Sequence, residues 1–370
     1  MRPSPVKNYR ESFPDVLFPT RRTEGWRTID LEPVLGTVFA EAPAEAPVFT
    51  GPKGIAAHRL SRDDLGEMKE PNAFAAINAH RFQNGLRLLI PDESCLIEPI
   101  HIFFPDQNRF REPCAVYPRL VVSAGKRVRA SLVLHYAGEG GSERLVSGVN
   151  EFYLGTNTHL DVVSLNRDAR AFQFILNRFL LGEGSSLEST VFTQGCRIVR
   201  HESEVRFRAP KGFASMRGLS VLKGNEQAFH HVTAIHEAPD CTSRQFYKSI
   251  LAGRAKSEFA SMVHVSRDAQ KSDSKQLSRS LLLSDTAQGF ARPQLLIEND
   301  DVSCNHGATV GQIDKDELFY LQSRGISKND ARFLLTLGFA REILDEVRDK
   351  GLKAELEKNI REEIKNLAGG

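Results

Sequence analysis

The chain has 370 residues, of which 41% are hydrophobic and 26% charged, with 49 Lys and Arg against 47 Asp and Glu and a net charge of +2. That length suggests two or three domains, or one elongated domain with appendages, and the ordinary composition excludes the disordered, collagen-like and disulfide-framework classes. Near-balanced charge leaves no footprint for nucleic acid or an anionic membrane, no window approaches 18 consecutive apolar residues, and residues 1–8 lack the apolar core of a secretory signal.

Residues 1–72 read as an N-terminal helical region. Its helix-compatible stretches are broken by Pro14, Pro19 and Pro33 and followed by an Ala/Pro-rich connector from Glu41 to Pro47. One more short helix is predicted over residues 72–80. The apolar run Leu86–Ile90 follows, bracketed by Gly85 and Pro91.

Residues 73–312 carry the core, and most of it is strand-like. Val128, Ala130, Leu132, Leu134 and Tyr136 alternate with Arg127, Arg129, Ser131, Val133 and His135, and Val205 and Phe207 with Glu204, Arg206 and Arg208. Phe259, Ser261, Val263 and Val265 share one parity, with Lys256, Glu258 and His264 on the other. Period 2 predicts strands with one buried and one exposed face. Glycine clusters such as Gly138–Gly141 and Gly182–Gly184 punctuate the runs. No helix-length pattern intervenes, which argues against a doubly wound α/β fold and for a sandwich, barrel or β-solenoid. No sharp fixed-period repeat chooses among them.

Residues 313–370 switch back to helix. One helix runs from Asp316 to Arg324 and stops at Gly325. A second opens at Ser327 with Asp330 three residues on and is predicted to end at Gly351. A third places Leu352, Leu356, Ile360, Ile364 and Leu367 on one stripe, with Asp349–Lys353 and Glu357–Arg361 at the supporting spacing. Such a stripe either packs on its own domain or receives a partner.

Several catalytic signatures are absent. There is no phosphate loop, Gly-x-Ser-x-Gly elbow, His-Glu-x-x-His or Cys-x-x-Cys. The five cysteines, Cys95, Cys114, Cys196, Cys241 and Cys304, are an odd, scattered set. Together with the N-terminus they predict a reduced, cytoplasmic protein.

The most informative segment is Asp301 to Thr309. If it is extended, Val302, Cys304 and His306 point to one side, with Cys304 and His306 about 6–7 Å apart. A thiolate and an imidazole at that spacing can share a soft or borderline metal or an iron–sulfur cluster. Two ligands do not complete a site, so the rest would come from elsewhere. The other reading is a buried cysteine beside a histidine that bonds a turn, and from Cys-x-His alone that reading is favoured. His230, His231 and His236 read as satisfied surface histidines, since strand parity separates His231 from the other two. Cys241 is a free thiol that could serve as a secondary ligand or redox group. Asp268, Lys271, Asp273 and Gln276 read as an exposed polar loop, and Trp26 as a core residue.

Taken together, the blocks Phe18–Thr28, Glu98–Ile102, His230–Ser243, Ala269–Gln276, Leu281–Ser284, Pro293–Glu298, Asp301–Gly311, Leu318–Leu321 and Ser323–Ile326 resemble the SufB/SufD family, most closely its SufD type. These are scaffold subunits of the Suf iron–sulfur cluster assembly complex. The resemblance implies a mainly β fold, a right-handed parallel β-helix core flanked by N-terminal and C-terminal α-helical regions. It implies a non-catalytic role, with a SufB-type paralogue pairing through the core and a SufC-type ABC ATPase on the C-terminal helices. Phe319, Tyr320, Arg324, Leu334 and Phe339 are then the candidates for that ATPase contact. It further implies that Cys304 and His306 lie at the paralogue interface, where a transient cluster is shared. A flavin in the complex is left open.

Three positions depart from the family pattern: Asn305 where Ser is common, Gly25 where an acidic residue is usual, and Arg27 where Lys is usual. The short, cysteine-poor chain favours the SufD type. Two alternatives remain: a SufB-type scaffold acting as a homodimer, and a β-solenoid enzyme acting on polysaccharide with Glu298, Asp300 and Asp301 as its carboxylates.

Overall fold

The computed structural model describes residues 7–42, 45–61, 65, 70–104, 112–138 and 141–368. Pro43 and Ala44 of the Ala/Pro connector, and Glu139 and Gly140 of the first glycine cluster, lie outside them. The N-terminal part holds two single-turn helices, α1 (Tyr9–Ser12) and α2 (Glu32–Leu35), then three short strands, β1 (Ala40–Glu41), β2 (Val48–Thr50) and β3 (Ala56–Leu60). Helix α3 (Ala73–Arg81) follows, capped by the Asn72 side chain. The region is thus less helical than its sequence suggested: α1 stops before Pro14 and α2 at Gly36, one turn each, and β3 pairs antiparallel with the first strand of the core.

From Gly85 the chain lays strands alternately into two sheets. They are β4 (Gly85–Ile90), β5 (Ile100–Phe103), β6 (Cys114–Val116), β7 (Arg119–Ala124), β8 (Arg129–Ala137) and β9 (Arg144–Leu154). Then come β10 (His159–Arg167), β11 (Ala171–Leu181), β12 (Ser186–Gln194), β13 (Ile198–Phe207), β14 (Phe213–Leu222) and β15 (Gln227–His236). The last are β16 (Thr242–Leu251), β17 (Lys256–Val265), β18 (Ser272–Leu282), β19 (Gln288–Ile297) and β20 (Val302–Gln312). One sheet runs β3-β4-β7-β9-β11-β13-β15-β17-β19, the other β2-β5-β8-β10-β12-β14-β16-β18-β20. The core pairings are parallel and in register. The result is a parallel β-solenoid of about 7 turns.

The corners explain how the turns stack. Arg127, Asn157, Gly184, Lys211, Asp240 and Lys271 all take positive φ just before β8, β10, β12, β14, β16 and β18. Each donates its backbone N–H to the carbonyl of the next corner, as Lys271 does to Asp301 at 2.7 Å.

Both outer faces are covered. On the first sheet Phe74 stacks on Phe174 with centroids 3.6 Å apart, and Arg200 sits 3.7 Å over Trp26. On the second sheet lie helices α5 (Lys328–Leu344) and α6 (Lys350–Ala368), with α4 (Lys315–Ser323) set against α5. The α6 stripe of Leu352, Leu356, Ile360 and Ile364 is buried with Leu337, Ile343 and Leu344 against Leu219, Val221 and Ile250 of the solenoid. The stripe therefore packs on its own chain. Gly351 does not end a helix. The break falls at residues 345–349, and Asp349 accepts the Leu352 N–H at 2.6 Å to start α6. Lys353 pairs with Asp345 at 2.8 Å rather than with Asp349.

Candidate functional site

The solenoid ends at an open rim. Strands β19 and β20 each terminate their sheet, so one edge of each has no strand paired to it among the described residues. Such an edge presents unpaired backbone N–H and C=O groups to any approaching strand. Cys304 and His306 lie on β20, directly over Ser274 and Gln276 of β18. Ser274 and Gln276 are 0% and 1% exposed. In-register pairing puts Cys304 and His306 on that same inward face. With no further rung above them, Cys304 is only half-buried and His306 is exposed. Burial pushes the Cys304 thiol up, the nearby Asp273 carboxylate adds to this, and a hydrogen bond from the Ser274 backbone opposes both.

The two columns beneath this pair change character toward the rim. One runs Ala130, Leu160, Leu187, Ala214, Ser243, Ser274, Cys304; the other Leu132, Val162, Ser189, Met216, Gln245, Gln276, His306. Each is mostly apolar at the start and polar in its last three rungs. His236 Nε2 lies 2.9 Å from Ser243 Oγ, which donates to Ser274 Oγ at 2.9 Å. Gln276 Nε2 donates to Ser261 Oγ at 2.5 Å, and that hydroxyl donates to Gln245 Oε1. The interior behind Cys304 and His306 is therefore a hydrogen-bonded polar lumen. Sequence reasoning missed it: Asp273, Gln276 and their neighbours form strand β18, not an exposed loop. Its inward set, Ser272, Ser274, Gln276, Ser278 and Ser280, is as polar as its outward set, so no hydropathy alternation marks the strand.

The histidines are also displaced from expectation. His230 and His236 are 2% and 0% exposed, not on the surface. Both face the lumen, where Ser220 and Ser243 hold them. His231 faces outward, with Nε2 3.6 Å from Glu258 Oε1. Cys241 is fully buried in the corner before β16, its Sγ donating to the Ala209 and Pro239 carbonyls at 3.4 Å. Burial raises that thiol. Cys241 shares the inward parity but is not brought beside Cys304, which lies two strands further on. Glu298, at the turn between β19 and β20, pairs with His264 at 3.3 Å. Among the described residues no group of three or more His, Cys, Asp or Glu could hold a metal ion. Cys304 and His306 are two potential donors on one face of the rim strand.

A second surface lies on the C-terminal helices. Helix α4, capped by Asp314, has no buried residue. Phe319 is 71% and Tyr320 56% exposed, the Arg324 guanidinium lies 5.3 Å over the Tyr320 ring, and Leu334 of α5 is 45% exposed. Phe339 differs from these four. It is half-buried and faces the solenoid, with Lys248 Nζ 3.9 Å from its ring centroid. No helix among the described residues is long and apolar enough to cross a membrane.

Residues 107–339 match the family model for the SUF system FeS cluster assembly, SufBD core domain. The iron–sulfur cluster assembly protein SufD of Bacillus subtilis is 38% identical over 303 residues, 81% of this chain and 69% of that protein. SufD of Escherichia coli is 29% identical over 228 residues, 61% of this chain, and the match spans about half (54%) of that protein's length. A SufBD family protein of Synechocystis is 29% identical over 308 residues, 79% of this chain and 67% of that protein. On the family-model match over more than half of its length, the chain belongs to the SufBD family of iron–sulfur cluster assembly proteins.

Proposed function

We propose that this chain is a non-catalytic scaffold subunit of a Suf assembly complex, with Cys304 and His306 contributing two of the ligands on which a nascent iron–sulfur cluster is built. The observation that carries this reading is the placement of both residues on the uncovered last rung of the solenoid. A thiolate and an imidazole are suitable donors to iron. Two donors at an unpaired edge suit a site completed by a second, similar rim, which a SufB-type paralogue would supply. The cluster is cargo in this scheme, and the chain's own part is to hold two ligands in fixed register over a rigid rung. No residue is proposed to hold a flavin.

A SufC-type ATPase would dock on the exposed side chains of Phe319, Tyr320 and Leu334 with Arg324 beside them. Aromatic and arginine side chains are the usual anchors of such contacts. Capture of both partners by the tagged chain from its host, under anaerobic conditions, tests the reading. Phe319→Asp is expected to lose the ATPase while retaining the paralogue and an unchanged melting temperature. Retention of the ATPase by that variant would remove these side chains from the account.

A further inference from the structure

Gln276 carries a buried polar atom with no partner. Its side chain is 1% exposed, and Oε1 accepts no hydrogen bond. The orientation of the amide is fixed by its other end. Nε2 donates to Ser261 Oγ at 2.5 Å and to the Gln294 carbonyl at 3.3 Å. The Gln294 carbonyl accepts only, so turning the amide over would set two oxygens against each other. Both Nε2 hydrogens are thus committed, and Oε1 is the end left free. A buried acceptor without a donor is costly, so such an atom calls for an explanation.

The residue stacked on Gln276 is His306. Adjacent rungs lie about 4.8 Å apart, and both side chains start from the inward face. His306 does not bond Oε1 in this conformation; a turn of its ring that directs one nitrogen at Oε1 and the other at the open rim would satisfy the orphan acceptor. A ligating histidine ordinarily donates its second N–H to such an oxygen, which fixes the tautomer and aims the free nitrogen at the metal.

We propose that Gln276 is the positioning residue for His306: its Oε1 accepts the inward ring N–H and presents the other nitrogen at the rim. Ser261 and Gln294 hold Gln276 from β17 and β19, so the aim of a rim ligand is set by three strands. This rests on the reading of His306 as a cluster ligand, and the two can fail separately.

The test uses the full chain labelled with 15N-histidine, His306 being assigned by comparison with His306→Gln. Wild type is expected to show a single His306 tautomer with a slowly exchanging N–H. Gln276→Leu is expected to give mixed tautomers, and Gln276→Met, which keeps the length but has no acceptor, to do the same. In the purified complex, Fe(II) affinity should fall about 10–100-fold for both variants. If Gln276→Leu does not fold, Ser261→Ala carries the test: freeing the amide should loosen the tautomer preference on its own. Mixed tautomers in wild type, or a single tautomer unchanged in the Leu and Ala variants, would overturn the role of Gln276. An unchanged iron content in His306→Ala would instead overturn the ligand reading beneath it.

Discussion

Lys248 and Glu342 join the C-terminal helices to the solenoid, with Nζ 2.7 Å from Oε1. The Lys248 side chain is fully buried, whereas Glu342 is 48% exposed. Burial pulls the ammonium's pKa down, and the Glu342 carboxylate pulls it back. The Phe339 ring covers the same ammonium at 3.9 Å. Glu342 also reaches Arg279 of β18 at 3.4 Å.

Removing one partner from such a pair leaves a buried charge, whereas replacing both is milder. Glu342→Ala is therefore expected to destabilise the protein by about 1–3 kcal/mol, the lower range because Glu342 is half in solvent. Lys248→Met with Glu342→Ala should cost less than Glu342→Ala alone. Chemical denaturation reads both, and a double variant no more stable than the single would count against a buried, paired Lys248.

The lumen histidines predict acid sensitivity. Burial lowers His230 and His236 to about 4 and His201 to about 3, with the neighbouring His230 adding to the shift of His201. Unfolded, each would bind its proton near pH 6.5. Between pH 6.5 and about 4 the unfolded state therefore binds more protons than the folded one, and stability falls as pH falls. Melting temperature should be flat above pH 7 and drop steeply below 6.5. His236→Asn should flatten the acid limb, and an unchanged limb in that variant would show that His236 does not titrate with unfolding.

Gly25 takes φ +74°, and a Cβ built there would meet His231 Cε1 at 2.7 Å. Left-handed backbone costs an L-residue about 1–2 kcal/mol, and the imidazole must also shift. Gly25→Ala is expected to cost about 2–3 kcal/mol in urea denaturation. Gly25→Ala without loss of stability would mean that His231 and the strap around Trp26 move freely.

The strand runs over Val128–Tyr136, Val205–Phe207 and Phe259–Val265 were legible because their inward residues are apolar. The solenoid was not, because its rung spacing varies: Ser186 pairs Phe213, Phe213 pairs Thr242, Thr242 pairs Asp273 and Ser272 pairs Val302. Intervals of 27, 29, 31 and 30 residues between these partners blur any fixed period. Covered outer faces blurred the alternation too, since Val133 and Val163 are buried under the C-terminal helices. The shared face of Cys304 and His306 followed from strand parity alone. The rim they stand on did not, because an open edge is a property of the stacked turns and not of any local pattern. Lys248 gave no signal in the sequence, since its burial depends on Phe339 and Glu342 returning from about ninety residues downstream.

The most direct test is the iron and sulfide content of the complex with a SufB-type paralogue and a SufC-type ATPase, co-expressed and purified anaerobically. Cys304 and His306 stand at a rim rather than in a packed core, so Cys304→Ala and His306→Ala should leave assembly and melting temperature intact. Iron and sulfide should each fall about tenfold or more in both variants. Wild-type cluster content in both would contradict the account and leave the Cys-x-His pair as an ordinary piece of strand.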